Sequence, residues 1–344
     1  MLDRESKECH KVFKILSIDG GGIKGLYSAR ILAEFESIFN CRIVDHFDMI
    51  CGTSTGGLIA LGISLGIPAE EICDFYQNQG EQIFKPQNTF KSLLRQIFIS
   101  SKHSNQSLRR CLKEIFGDKA IGESQALLCI PAFSLTNGRP YIFKYDHKEG
   151  NLKRDNQTLY IDVALATSAA PTFLPVVTIP SHGNRQFADG GVYANNPTLI
   201  GITEAFHYFV GTDREFQKLR VMSVASLEPS PPGKSFIRRQ NRSFLSWVKT
   251  QDLFNMFMEG QAQVNNHIVS VLSQHTACSF NYIRIPSVHL PHEHARIINM
   301  DNASKEAIDL ISIHGKDQGL CFARDPTISE FFESKKLYIV RKNG

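Results

Sequence analysis

The stretch Cys51-Gly52-Thr53-Ser54-Thr55-Gly56-Gly57 decides how this chain is read. It sets a serine between glycines two residues away on either side. Residues 44–50 before it are mostly apolar apart from Asp45, His46 and Asp48, and residues 58–67 after it read as a buried helix. Strand, sharp turn and helix, with serine at the turn, is the G-x-S-x-G nucleophile elbow. The reason for the glycines is steric. The turn strains the serine backbone, and side chains on its neighbours would collide with the adjoining strand and helix. The hydroxyl then stands at a helix N-terminus, where the dipole favours developing negative charge. Read alone, the stretch is as readily a plain Gly/Thr/Ser turn, because short motifs recur by chance.

The chain upstream bears on that choice. Residues 12–18 form an apolar run that reads as a buried first strand, and Asp19-Gly20-Gly21-Gly22-Ile23-Lys24-Gly25 follows at once. From Leu26 to Phe39 apolar residues recur at helical spacing. A bare glycine bridge between strand and helix presents backbone N–H groups to an anion. Two anions compete for it. Gly20-x-Gly22-x-x-Gly25, with Asp45 20 residues beyond Gly25, fits a dinucleotide fingerprint. A tetrahedral oxyanion asks for the same donors. Because the second strand runs straight into the serine elbow, the oxyanion reading outweighs the nucleotide one.

Downstream, 161–171 reads as a helix of small residues able to lie close against a sheet or the glycine loop. Phe187-Ala188-Asp189-Gly190-Gly191 follows, with Asn195-Asn196-Pro197 opening another helix. An aspartate before two glycines is most often a turn. With a serine elbow and a glycine loop upstream, Asp189 becomes a candidate general base.

The remaining segments are less informative. Helices are expected after Pro68, over 107–116 and over 301–312, and a hairpin is expected over 126–145. Further strands are expected at 219–227 and, as a last edge, at 337–341. Residues 85–105 read as a flap or a long connection. Residues 234–258 combine five basic residues with Phe236, Phe244, Trp247 and Phe254, suiting a membrane interface or an anionic ligand as well as a core helix. His289-x-x-His292-x-His294 has Pro291 inside it and is expected to be a loop rather than a metal site.

With 344 residues, a net charge of +4 and eight scattered cysteines, the chain has the make-up of a globular protein with reduced thiols and no zinc spacing. That charge suits an anionic membrane surface but is too small to argue for nucleic acid. No apolar run is long enough to span a bilayer, and the N-terminus lacks an apolar signal region. The expectation is a cytoplasmic protein, peripheral on membranes when active. The short break at 229–233 favours one domain over 1–344, with a catalytic core at 12–227 and a mostly helical part at 228–344.

Three pieces now stand in one order: Asp19-Gly-Gly-Gly-Ile-Lys-Gly25, Gly52-Thr-Ser-Thr-Gly56 and Asp189-Gly190-Gly191. This order resembles the patatin-like phospholipase family, and Ala166-Thr-Ser-Ala-Ala-Pro-Thr-Phe-Leu-Pro175 is similar to a further family segment. The likeness covers roughly residues 12–227. It implies a three-layer α/β/α fold around a mostly parallel sheet, no cofactor and no metal. It also implies a Ser–Asp dyad in place of a triad. Ser54 matches the nucleophile, Asp189 the proton acceptor, and Gly20, Gly21 and Gly22 the oxyanion loop. Asp19, Gly25, Gly52, Gly56, Gly190 and Gly191 match supporting positions, and Lys24 stands where many members have arginine. Where many members have a Gly/Thr-rich turn, this chain has Glu228-Pro-Ser-Pro, which bears on the shape of the neighbouring pocket. The substrate implied is the ester of a membrane phospholipid or related acylglycerol. Some bacterial members of this size are switched on by cyclic di- or oligonucleotides in antiphage defence, so such a nucleotide is a candidate activator, and a homo-oligomer a candidate assembly.

Two other readings stay open on the residues alone. One is a nucleotide-binding oxidoreductase using the 20–25 loop. The other is an inactive interaction protein on the same fold. A conventional triad would use a histidine, and none of the twelve sits in a recognisable triad context, though sequence alone does not exclude one.

Overall fold

The computed structural model describes residues 11–84, 105–171, 173–228, 252–275 and 279–340. The expected flap at 85–104 and residues 234–251 of the basic–aromatic stretch lie outside them.

The first strand, β1 (Val12–Ile18), runs through the glycine loop into α1 (Gly25–Ile38). A short β2 (Met49–Gly52) leads into α2 (Thr55–Ser64), and α3 (Ala69–Phe84) and α4 (Asn105–Phe116) follow. Next come the hairpin β3 (Leu127–Ser134) and β4 (Arg139–Lys144), then α5 (Tyr160–Thr167), β5 (Val177–Ile179) and β6 (Arg185–Asp189). A single turn α6 (Gly191–Ala194), α7 (Thr198–Tyr208) and β7 (Lys218–Val224) lead to α8 (Asp252–His275) and β8 (Ser279–Ile285). The chain ends in α9 (His292–Ile297), α10 (Lys305–Phe322) and α11 (Pro326–Phe332).

The eight strands form one sheet in the order β5-β6-β3-β2-β1-β7-β8, with β4 also on β3. The five strands β3-β2-β1-β7-β8 are parallel, and β4, β5 and β6 run antiparallel to their neighbours. Strand alternation assigns the two faces. An added Cβ at Gly201 of α7 would touch Cys51 and Ile15, whereas one at Gly52, the next residue along β2, would run into α2 at Gly56 and Ala60. The sheet therefore lies between α2, with α1, α3 and α10 packed around it, and α7 with α8. The core strands are buried on both faces, as parallel strands covered by helices must be.

Several boundaries differ from expectation. The small-residue helix stops at Thr167, and the cap of α10 is Ser304, whose hydroxyl accepts from Ala307 N–H. The edge strand expected at 337–341 is replaced over 337–340 by irregular backbone, with Leu337 and Tyr338 N–H groups donating to buried Asp48. The sheet edge is β8 instead. His292 and His294 sit in α9 rather than in a loop, and His294 Nδ1 lies 3.0 Å from His314 Nε2.

Candidate active site

Ser54 caps α2 with φ 54° and ψ −123°, a conformation that costs a non-glycine residue roughly 1–3 kcal/mol. Surrounding contacts hold it there. Its N–H donates to Thr167 Oγ1 at 3.0 Å, and that hydroxyl donates onward to the Pro131 carbonyl at 2.6 Å. Thr53 Oγ1 donates to the Ala194 carbonyl at 2.6 Å, and Thr55 Oγ1 to the Gly22 carbonyl at 2.7 Å. The flanking glycines are required by close approach. A Cβ on Gly52 would strike the Gly56 carbonyl, and one on Gly56 would strike the carbonyls of Ile18 and Asp19.

Asp189 arrives at the end of β6. Strand β3 explains how. Its residues Cys129 to Ser134 pair with β4 on one edge, so β2 and β6 must share the other. There β2 covers Leu127 to Cys129 running with β3, and β6 covers Ala132 to Ser134 running against it. The two strands therefore approach end to end near Pro131, and the residues that leave them, Ser54 and Asp189, meet. The Asp189 carboxyl lies close enough to the Ser54 hydroxyl for that group to help lower its pKa. Its Oδ1 accepts from Gly191 N–H at 2.6 Å, while the buried Oδ2 lacks a standard hydrogen-bond partner among the described residues. Burial dominates and raises the Asp189 pKa from 3.8 to about 7. Among the described residues no histidine hydrogen-bonds to Ser54 or Asp189; His182, for example, is engaged by Thr158 and Tyr141.

The glycine loop lies against the elbow, but its three residues are not equivalent. Gly20 N–H already donates to the Asn195 carbonyl at 3.0 Å, which removes Gly20 from the expected set of oxyanion donors. Gly21 and Gly22 N–H have no hydrogen-bond acceptor among the described residues. Gly22 takes φ +62°, and a Cβ there would strike the Met300 carbonyl. Gly25 brings the start of α1 against Thr55, and Gly190 lies against Pro131. Lys24 is buried, which pushes its amine down to about 8 against the opposing pull of Glu259 and Glu228. Asp19 pairs with Arg284, as described below.

Ser54 and Gly22 line one narrow cleft whose walls are Leu58, Phe75, Tyr76, Leu108, Phe173 and Leu174. Such a cleft suits an acyl chain. The dinucleotide reading fails on topology. Ile15 pairs with Met49 and Ile18 with Gly52, so Asp45, which precedes β2, lies at the end of the sheet opposite the glycine loop. Its carboxylate is engaged there by Lys335 at 3.2 Å. Among the described residues no group of three or more His, Cys, Asp or Glu could hold a metal, and no helix is long and apolar enough to cross a membrane.

Comparison with known proteins identifies the family. Residues 16–202 match the family model described as "Patatin-like phospholipase". The chain belongs to the patatin-like phospholipase family. As a member it is an enzyme, a carboxylic-ester hydrolase of the lipid acyl hydrolase type. A relative from Escherichia coli named cGAMP-activated phospholipase is 32% identical, the match covering 93% of each chain. One of the same name from Pseudomonas aeruginosa is 29% identical over 93% of this chain and 91% of its own. Among solved structures, VipD from Legionella pneumophila has a TM-score of 0.40 at 12% identity, covering 91% of this chain and 66% of that one.

Several residues of this patatin-like phospholipase that shape the site could not be singled out from sequence. Thr167, inside the small-residue helix, holds the elbow from outside it. Met258 of α8 packs on Gly191, and Gln261 Oε1 accepts from Asn196 N–H at 3.0 Å, so α8 braces the turn after Asp189. Arg284 is a lone cation in an apolar strand. Only Thr167 falls within a family segment, and the role of each is defined by a partner far away along the chain.

Proposed function

We propose that this chain cleaves ester bonds of membrane phospholipids or related acylglycerols through a Ser54–Asp189 dyad and an acyl-enzyme intermediate. The observation carrying the reading is the strained serine lining an apolar cleft, beside a buried carboxyl raised to about 7. A serine hydroxyl is a weak nucleophile until a base takes its proton, and a carboxylate titrating near neutrality is suited to that task. Asp189 takes the proton as Ser54 Oγ attacks the ester carbonyl. The oxyanion forms between Gly21 and Gly22 N–H and the N-terminus of α2, each donor worth on the order of 10²–10³ in rate. Asp189 then gives the proton to the departing lysophospholipid alkoxide. Water, deprotonated by the same carboxylate, attacks the acyl carbonyl, and Asp189 returns that proton to Ser54 Oγ as the fatty acid leaves.

The enzyme is read as cytoplasmic, docking peripherally on the bilayer. A phospholipase facing its host's own membrane needs restraint, and the names of the bacterial relatives suggest how. The reading is that a cyclic di- or oligonucleotide activates it, in antiviral defence. Lipidomics of phospholipid liposomes treated with wild type and Ser54→Ala, each with and without a panel of cyclic nucleotides, tests both parts. Free fatty acid and lysophospholipid should appear with wild type alone, and rise with one nucleotide. Equal product from Ser54→Ala refutes the dyad; equal product across the panel refutes the activation.

A further inference from the structure

The family match ends at residue 202, but several anchors of the glycine loop lie beyond it. Asp19 N–H donates to the Val224 carbonyl at 3.1 Å, Ser226 Oγ to the Gly20 carbonyl at 2.8 Å, and Ile23 N–H to the Met300 carbonyl at 3.0 Å. The Asp19 carboxylate goes further afield. Arg284 Nη2 reaches its Oδ2 at 2.6 Å and Nη1 its Oδ1 at 3.4 Å, while Nη1 also donates to Ser223 Oγ at 2.7 Å. The side chains are 12% and 4% exposed. Ile18 pairs with Val224, and Ser223 with Arg284, so the guanidinium spans β7 to reach the residue that leads into the loop.

Two physical consequences follow. A planar fork held at three points fixes Asp19, and with it the direction in which Gly21 and Gly22 leave the strand. The same fork neutralises a carboxylate one residue from Gly20. Left unpaired, that buried carboxyl would be pushed further toward its protonated form, which changes the hydrogen bonding one residue from the oxyanion donors.

We propose that Arg284 is a positioning residue for ester cleavage. Through Asp19 it keeps the oxyanion donors aimed. The proposal rests on the serine-hydrolase reading above. Arg284 touches no reacting atom, so its effect belongs in turnover rather than in substrate capture.

The test uses the full-length protein, a soluble chromogenic short-chain ester, and the rate of Ser54 labelling by a fluorophosphonate. Arg284→Gln should lower kcat by about 10²-fold, the worth of one oxyanion donor, with KM within about twofold. Labelling should slow in the same proportion, since attack on the fluorophosphonate also builds negative charge on an oxygen facing the oxyanion donors, there on phosphorus rather than on carbon. Arg284→Lys, which keeps the charge but not the fork, should recover to within about tenfold of wild type. Adding Asp19→Asn to Arg284→Gln should cost much less than the product of the two single effects, because both act on one pair. A folded Arg284→Gln with wild-type kcat, or one altered in KM alone, overturns the proposal. Should that variant not fold, wild-type kcat and labelling in Arg284→Lys overturn it equally. Ser54→Ala on the same ester separates the two levels: wild-type turnover there removes the hydrolase reading itself, whatever Arg284 does.

Discussion

Replacing Asp189 by asparagine should silence the protein, and the variant's stability relative to wild type should rise with pH. The carboxyl is fully buried, and its pKa is raised from 3.8 to about 7. Between those values the folded chain holds a proton that the unfolded chain releases, so this group's contribution to stability falls as pH rises. It is complete below about pH 4 and gone above about pH 7. Each pH unit between is worth about 1.4 kcal/mol, giving a loss of about 1.5 kcal/mol by pH 5 and about 4 kcal/mol by pH 8, with nothing further above. Asparagine carries no charge at any pH, and its Oδ1 can still accept from Gly191 N–H. Its amide lies where Oδ2 now lacks a partner, a penalty of roughly 1–3 kcal/mol that does not vary with pH. The difference between variant and wild type in urea unfolding should therefore move in the variant's favour by about 2–3 kcal/mol from pH 5 to pH 8. Wild-type kcat/KM should fall about tenfold per pH unit below about pH 7, as the base protonates. The variant should be inactive throughout. A stability difference that is flat with pH, or wild-type activity sustained to pH 5, would refute the buried-base argument.

Ser54→Gly should abolish activity yet raise the melting temperature. Releasing φ 54° recovers roughly 1–3 kcal/mol, of which the unfolded-state entropy of glycine takes back about 0.5–1 kcal/mol; a lowered melting temperature by calorimetry would show that the elbow is not strained. Asp48→Ala should cost about 3 kcal/mol or more in denaturant unfolding, because the carboxylate accepts from Lys14, Leu337 and Tyr338 N–H at 2.7, 2.9 and 2.7 Å. A loss under about 1 kcal/mol would mean that those donors find other partners.

The site residues that were legible in the sequence are those whose chemistry demands a particular neighbour on the chain. Ser54 shows because a strained elbow needs Gly52 and Gly56 around it, and Gly22 because its φ and the Met300 carbonyl leave no room for a Cβ. What could not be read is whatever depends on a partner far along the chain. Gly20, Gly21 and Gly22 look alike as letters, yet only the fold takes the first as a donor to Asn195. Asp45 sits at a fingerprint distance from Gly25, yet sequence spacing is blind to which end of a strand a residue occupies. The segment at 337–341 has the apolar pattern of an edge strand, but over 337–340 buried Asp48 takes two of its N–H groups and no ladder forms.

The meeting of Ser54 and Asp189 turns on the least legible feature, the shared edge of β3. A parallel strand that stopped early would normally leave unpaired backbone groups on its neighbour. Here β2 ends at Gly52 and β6 takes up the same edge from the opposite direction. Near the gap between them sits Pro131, which has no N–H to leave unpaired, and its carbonyl takes the Thr167 hydroxyl that also holds Ser54. Two strands running toward each other bring their last residues together, whereas two parallel neighbours would set theirs side by side. The closeness of Ser54 and Asp189 is thus a consequence of one strand running the wrong way in a mostly parallel sheet. Lengthening β2 by even one residue would close the gap that admits Asp189.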